Sequence, residues 1–130
     1  MSETEVLHAA DALVAAFAEG RLDDYFGAFA PDATFVFHTT PGRIDSTDAY
    51  RKLWAGWVAE DGFRVERCAS TDRKVQLLGD TAVFTHQVET GVSTGSGAET
   101  LHERETIVFH RDSADGRWLA VHEHLSPAAQ

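Results

Sequence analysis

Apolar residues open the chain at helical spacing. Val6, Leu7, Ala10, Leu13, Val14 and Phe17 share one face of a helical repeat. Ser2 with Glu5 has the form of a capping box, and Gly20 supplies the left-handed residue that ends a helix. A shorter helix is predicted over 22–29, presenting Leu22, Tyr25, Phe26 and Phe29, with Pro31 as its stop. The β-branched and aromatic run Thr34 to His38 reads as a strand, closed by the turn Thr39-Thr40-Pro41-Gly42. Ser46 or Thr47 caps a third helix reaching Ala59, whose apolar face carries Tyr50, Leu53, Trp54, Trp57 and Val58.

Beyond Gly62 the apolar period becomes two. Phe63, Val65, Arg67 and Ala69 alternate with Arg64, Glu66, Cys68 and Ser70, and Val75 to Leu78 lead to the turn dipeptide Gly79-Asp80. Further strands are expected over 81–92, 99–110 and 117–125, the last two flanking Asp112 to Gly116. The intervening segment 91–98, with Gly95-Ser96-Gly97, is expected to be a mobile loop, because glycine and serine order at a high entropic cost. Helices early and strands late indicate an α+β fold with an antiparallel sheet. Three short helices cover only one face of such a sheet, so the other meets solvent or a second subunit.

Composition narrows the function classes. The 130 residues fit a single domain over 1–130, and their formal charge of −10 disfavours nucleic acid or an anionic membrane as partner. The lone Cys68 excludes an intrachain disulfide. The acidic N-terminus is not that of a secretion signal, and no apolar run approaches a membrane span, so a soluble cytoplasmic protein is expected. No nucleophile elbow, P-loop, dinucleotide fingerprint or zinc-type cysteine pattern is present, and no cofactor is expected.

The closing strands carry the candidate chemistry. Strict alternation puts Trp118, Ala120, His122, His124 and Ser126 on one face. Pairing His110 opposite Trp118 then sets Thr106 against His122 and Arg104 against His124, with His86 extending the patch. Arg104 is a fixed cation suited to a carboxylate or an enolate oxygen, and a neutral histidine takes up a proton near pH 7. The competing assignments are an ion pair of Arg104 with Glu103, Glu105 or Glu123, and histidines that only anchor hydrogen bonds in the sheet. His122 and His124 with a third histidine form a weaker metal alternative. Tyr25, Trp54 and Trp57 either fill the core or line an aromatic pocket.

The order of elements, with Pro31-Asp32-Ala33-Thr34 leading into the first strand and the ending Gly116-Arg117-Trp118-Leu119-Ala120-Val121-His122-Glu123-His124-Leu125-Ser126, resembles the SnoaL-like domains of the nuclear-transport-factor-2-like, or ketosteroid-isomerase-like, superfamily. The resemblance implies a cone-shaped barrel, a strongly curved antiparallel sheet whose concave face is covered by three helices. It also implies a homodimer through the convex sheet face, with Arg104, Thr106, His122 and His124 aimed into the cavity and His38 near it. The function so implied is binding of a hydrophobic carbonyl or carboxylate ligand. Cofactor-independent isomerase, dehydratase or cyclase chemistry would use His122, His124 or His38 for the proton and Arg104, Thr106, Tyr25, Trp54, Trp57, His86 and Trp118 for the ligand. The alternatives are a non-catalytic binding or association module and the histidine metal site. The strand from Phe35 to His38 lacks the carboxylate base that isomerases of this fold tend to hold there, so a histidine must take its place.

Overall fold

The computed structural model describes residues 2–128, with side chains from Glu3 onward, so the Ser2 half of the expected capping box lies outside the described residues. Helix α1 spans Ser2–Glu19 and buries Val6, Ala10, Leu13 and Ala16. It ends as expected: Gly20 adopts φ +72°, and the Arg21 N–H reaches back to the Ala16 carbonyl. Helix α2 covers only Leu22–Gly27. It stops short of the predicted limit because Phe29 already belongs to strand β1, Phe29–Phe37, which is irregular between Phe29 and Thr34 around Pro31. A two-residue strand β2, Arg43–Ile44, pairs with β1. Helix α3 spans Thr47–Asp61, with Ser46 Oγ accepting from the Ala49 N–H at 3.0 Å and Gly62 left-handed at the far end.

Four long strands follow: β3 Arg64–Leu78, β4 Thr81–Thr94, β5 Gly97–Arg111 and β6 Trp118–Pro127. The segment expected to be a mobile loop is a tight hairpin. Pairing continues to Thr94 opposite Gly97, and the Gly95 N–H is anchored to the Asp61 carbonyl at 2.8 Å. The sheet order is β2-β1-β6-β5-β4-β3. It is mixed rather than antiparallel throughout, because the chain leaves β1 through α3 and the meander returns β6 alongside β1 in the same direction. Nor does it close, since β2 and β3 remain edges.

Irregularities bend the long strands. β3 shifts register twice, with Asp72 at φ +51°, and β6 shifts once. A bulge kinks its strand and increases the local twist, which gives the sheet a concave and a convex face. Helices pack on the concave side around Tyr25, Phe26, Phe35, Tyr50 and Trp54, whose rings meet mostly edge-on. Fully buried Phe35, Phe84 and Phe109 each contribute about 1.5–3 kcal/mol by leaving water. Among the described residues no helix is long and apolar enough to cross a membrane.

Candidate functional site

Between helices and sheet lies a cavity of about 330 Å³, within the usual size range of small-molecule sites. Its walls follow from alternation along each strand. β4 contributes Val88, Thr90 and Val92, β5 contributes Leu101, Glu103 and Glu105, and β6 contributes Glu123 and Leu125. Phe17 on α1, Tyr25 on α2 and Tyr50, Trp54 and Trp57 on α3 close the other side.

One inserted residue decides which β6 side chains enter. Phe109 pairs with Ala120, but Val108 pairs with His122, leaving Val121 as a bulge. Trp118 and Ala120 therefore face inward before the bulge, and Glu123 and Leu125 after it. Strict alternation fails here. Thr106 pairs with His124 and Arg104 with Ser126, and none of Arg104, Thr106, His122 or His124 lines the cavity. Arg104 and His124 are exposed on the convex face. His122 Nδ1 lies 2.8 Å from Thr34 Oγ1 there, and burial, with the neighbouring His124, lowers its pKa. The expected patch is thus turned to the other side of the sheet.

The remaining expected residues divide. Tyr25, Trp54 and Trp57 line the cavity. Trp118 points inward but lies elsewhere, in a recess beside His8, Phe109 and Arg117. His38 does not line the cavity, yet its Nε2 contacts Glu103 Oε2 at 2.5 Å and thereby touches the wall. His86 is buried behind the wall rather than in it, against the Phe84 ring at 4.6 Å. Nor does the histidine metal alternative find support: among the described residues no three His, Cys, Asp or Glu side chains are grouped to hold a metal ion.

What alternation conceals is an acidic cluster. Glu103, Glu105 and Glu123 are 5%, 9% and 4% exposed, which demands partners or protonation. His86 provides one partner. Burial first, and Arg73 second, lower its pKa to about 4, so the ring is neutral. Its single N–H then donates from Nε2 to Glu105 Oε1 at 2.7 Å, while Nδ1 accepts from Ser70 Oγ at 2.6 Å. Glu105 and Glu123 are hydrogen-bonded to each other, and burial raises both pKa values, that of Glu123 strongly, with the Glu105 charge as its second cause. Glu105 already accepts from the imidazole, so the shared proton resides on Glu123. Glu123 Oε1 is buried without a partner.

Two phenols accompany the pair. Tyr25 and Tyr50 join hydroxyl to hydroxyl at 2.8 Å, and burial, then the Glu123 charge, raises both pKa values, so both stay protonated. Burial likewise lifts the Cys68 thiol to about 11, which removes it as a nucleophile. The site therefore offers one free phenolic O–H and the open acceptor oxygen of a neutral acid in an apolar hollow, backed by a carboxylate. The missed residues are Glu103, Glu105, Glu123 and Tyr50. Their signal was parity: Glu103 and Glu105 share the face of Ile107 and Phe109, two plainly apolar core positions.

Known proteins share this architecture. An NTF2-like protein of unknown function in nutrient uptake from Rhodospirillum rubrum superposes with a TM-score of 0.81 at 22% identity, covering 95% of this chain and 98% of that one. A ketosteroid isomerase-like protein from Erwinia carotovora atroseptica gives 0.79 at 15% identity, covering 98% and 96%. The CaMKII hub of S. rosetta gives 0.77 at 26% identity, covering 96% and 95%. Comparison with curated proteins finds no match. The fold is thus the α+β cone shared with such NTF2-like proteins, as the sequence resemblance implied. The family model of the SnoaL-like domain matches residues 6–130, nearly the whole chain, and the protein belongs to that family.

Proposed function

We propose that the cavity binds a small, largely apolar molecule and exchanges a proton with its polar end at Glu123. The observation that carries this reading is a protonated carboxyl, buried with one oxygen unpartnered, on the wall of an aromatic hollow of about 330 Å³. The free oxygen of this neutral acid accepts a hydrogen bond from the ligand, while the acid proton held toward Glu105 is the one exchanged, and withdrawn or returned protons are what isomerases, dehydratases and cyclases need. One O–H of the Tyr25–Tyr50 pair is spent on the other hydroxyl, so the pair adds a single phenolic donor beside it. A histidine is then not required as the base, since Glu105 is the carboxylate at hand. Of the two ligand types expected from sequence, the carboxylate is disfavoured, because among the described residues lining the cavity there are four glutamates and no Lys or Arg.

Tryptophan fluorescence tests the reading, because Trp54 and Trp57 stand on the wall. Small aromatic ketones should quench it saturably. Tyr50→Phe should weaken that binding about threefold to tenfold, in line with loss of one hydrogen bond. Arg104→Ala should leave it unchanged, and the reverse order of effects overturns the assignment.

The resemblance to the CaMKII hub favours a further role in self-association. The convex face, with Arg104, Thr106, His122 and His124, is the surface proposed for a homodimer. Sedimentation should show a dimer that Arg104→Glu weakens, whereas an unaltered monomer rejects it.

A further inference from the structure

The charge of the cavity reaches beyond a generic ligand and indicates which chemistry its polar end carries. Glu99, Glu103, Glu105 and Glu123 all line it, and its imidazole neighbours among the described residues are His38, on Glu103, and His86, held neutral behind Glu105. With a neutral ligand, Glu103 and Glu105 would still repel each other beside the protonated Glu123. A bound cation would relieve that repulsion and pair with Glu123, whose Oε1 is buried and unpartnered. Opposite stand Trp54, Trp57, Phe63 and Tyr50, and aromatic faces attract cations. The net charge of −10 adds an attractive field for a cation approaching from solution.

We propose that the ligand is a hydrophobic amine, its ammonium held by Glu123, Glu105 and Glu103 and its hydrocarbon laid against Trp54, Trp57 and Phe63. The inference rests on the proposed ligand-binding role of the cavity and names the ligand class. Binding exchanges one cation for another: the ammonium enters, the Glu123 carboxyl gives up its proton, and a carboxylate–ammonium pair replaces the acid. That proton leaves to solvent, so each bound ammonium releases up to one. The titratable groups facing Glu123 are Glu103 and Glu105 on β5, His86 on β4, Tyr25 on α2, Tyr50 on α3 and Cys68 on β3. The neighbouring β1 residue, Phe35, carries no charge. Of these, Glu123 is the group that gives up the proton: burial pushes its carboxyl up so that it holds one, while both phenols and the thiol are pushed up further from release and the imidazole is already neutral.

Three probes of nearly equal shape test this: phenylpropylamine, the ketone benzylacetone and phenylpropionate, titrated calorimetrically in two buffers of different ionisation enthalpy. The amine should bind about tenfold more tightly than the ketone, and the ketone more tightly than the acid. Proton release should accompany the amine alone, and its affinity should rise with pH while Glu123 ionises. Glu123→Gln should cut amine affinity about tenfold and abolish proton release. The proton count on the unaltered protein stands even where the variant does not fold. Ketone binding as tight as amine binding, or an amine that releases no proton, overturns the amine assignment and leaves the ligand cavity standing. Failure of all three probes to bind overturns the cavity reading together with it.

Discussion

Glu105 and Glu123 sit on adjacent strands, share a hydrogen bond inside the cavity, and hold one proton between them. The arrangement depends on the Val121 bulge. Without it Glu123 would face the convex side and Glu105 would have no acid partner. His86 and Ser70 then fix which carboxyl is charged, since the imidazole N–H goes to Glu105.

The raised Glu123 pKa makes stability pH-dependent. The folded state holds this proton more tightly than the unfolded chain, so its stabilising share is complete below the ordinary carboxylate range and is lost as pH rises through the elevated pKa. Glu123→Gln keeps a donor for Glu105 and cannot ionise. It should raise the melting temperature at neutral pH by roughly 3 °C or more and flatten the decline toward alkaline pH. Thermal denaturation over a pH series checks this, and an unchanged slope contradicts it.

His86 acts in the opposite direction. Its folded pKa of about 4 lies below the ordinary histidine value, so the unfolded state binds the extra proton and stability falls as pH drops from about 6.5 toward 4. His86→Gln should blunt that acid arm. It should also cost about 1–3 kcal/mol at neutral pH, because the amide cannot satisfy both Ser70 and Glu105 as the ring does. Urea unfolding at several pH values separates the two effects.

Deleting Val121 tests the register. Ala120 and His122 would then be consecutive opposite Phe109 and Val108, so the ladder runs unbroken with Glu123 and Leu125 still inward, and only the local bend is lost. The deletion should keep a cooperative transition by circular dichroism and cost about 1–3 kcal/mol. Loss of the cooperative transition would show that Val121 is not the unpaired residue that sets the face.

Much of the fold was legible because local chemistry and tertiary packing agree. The α1 stripe, the Ser46 cap, the Gly20 and Gly62 stops and the hairpin turn at Gly79-Asp80 each act over a few residues. The Gly95 hairpin misled because its order comes from an anchor on Asp61, far away in sequence. The parallel pairing of β1 with β6 was equally invisible, since it depends on where the meander ends.

The site shows the same division more sharply. Sequence alone established the α+β order, the aromatic helices that became cavity wall, and the family resemblance. Which face of β6 meets the cavity was decided only by the three-dimensional ladder. With a side-chain period of two, one unpaired residue exchanges inside for outside, and nothing in the Trp118 to Ser126 stretch announces that Val121 is the one left unpaired. His122, His124 and Arg104 went to the convex surface, and the glutamates considered only as ion-pair partners of Arg104 became the buried acids of the cavity.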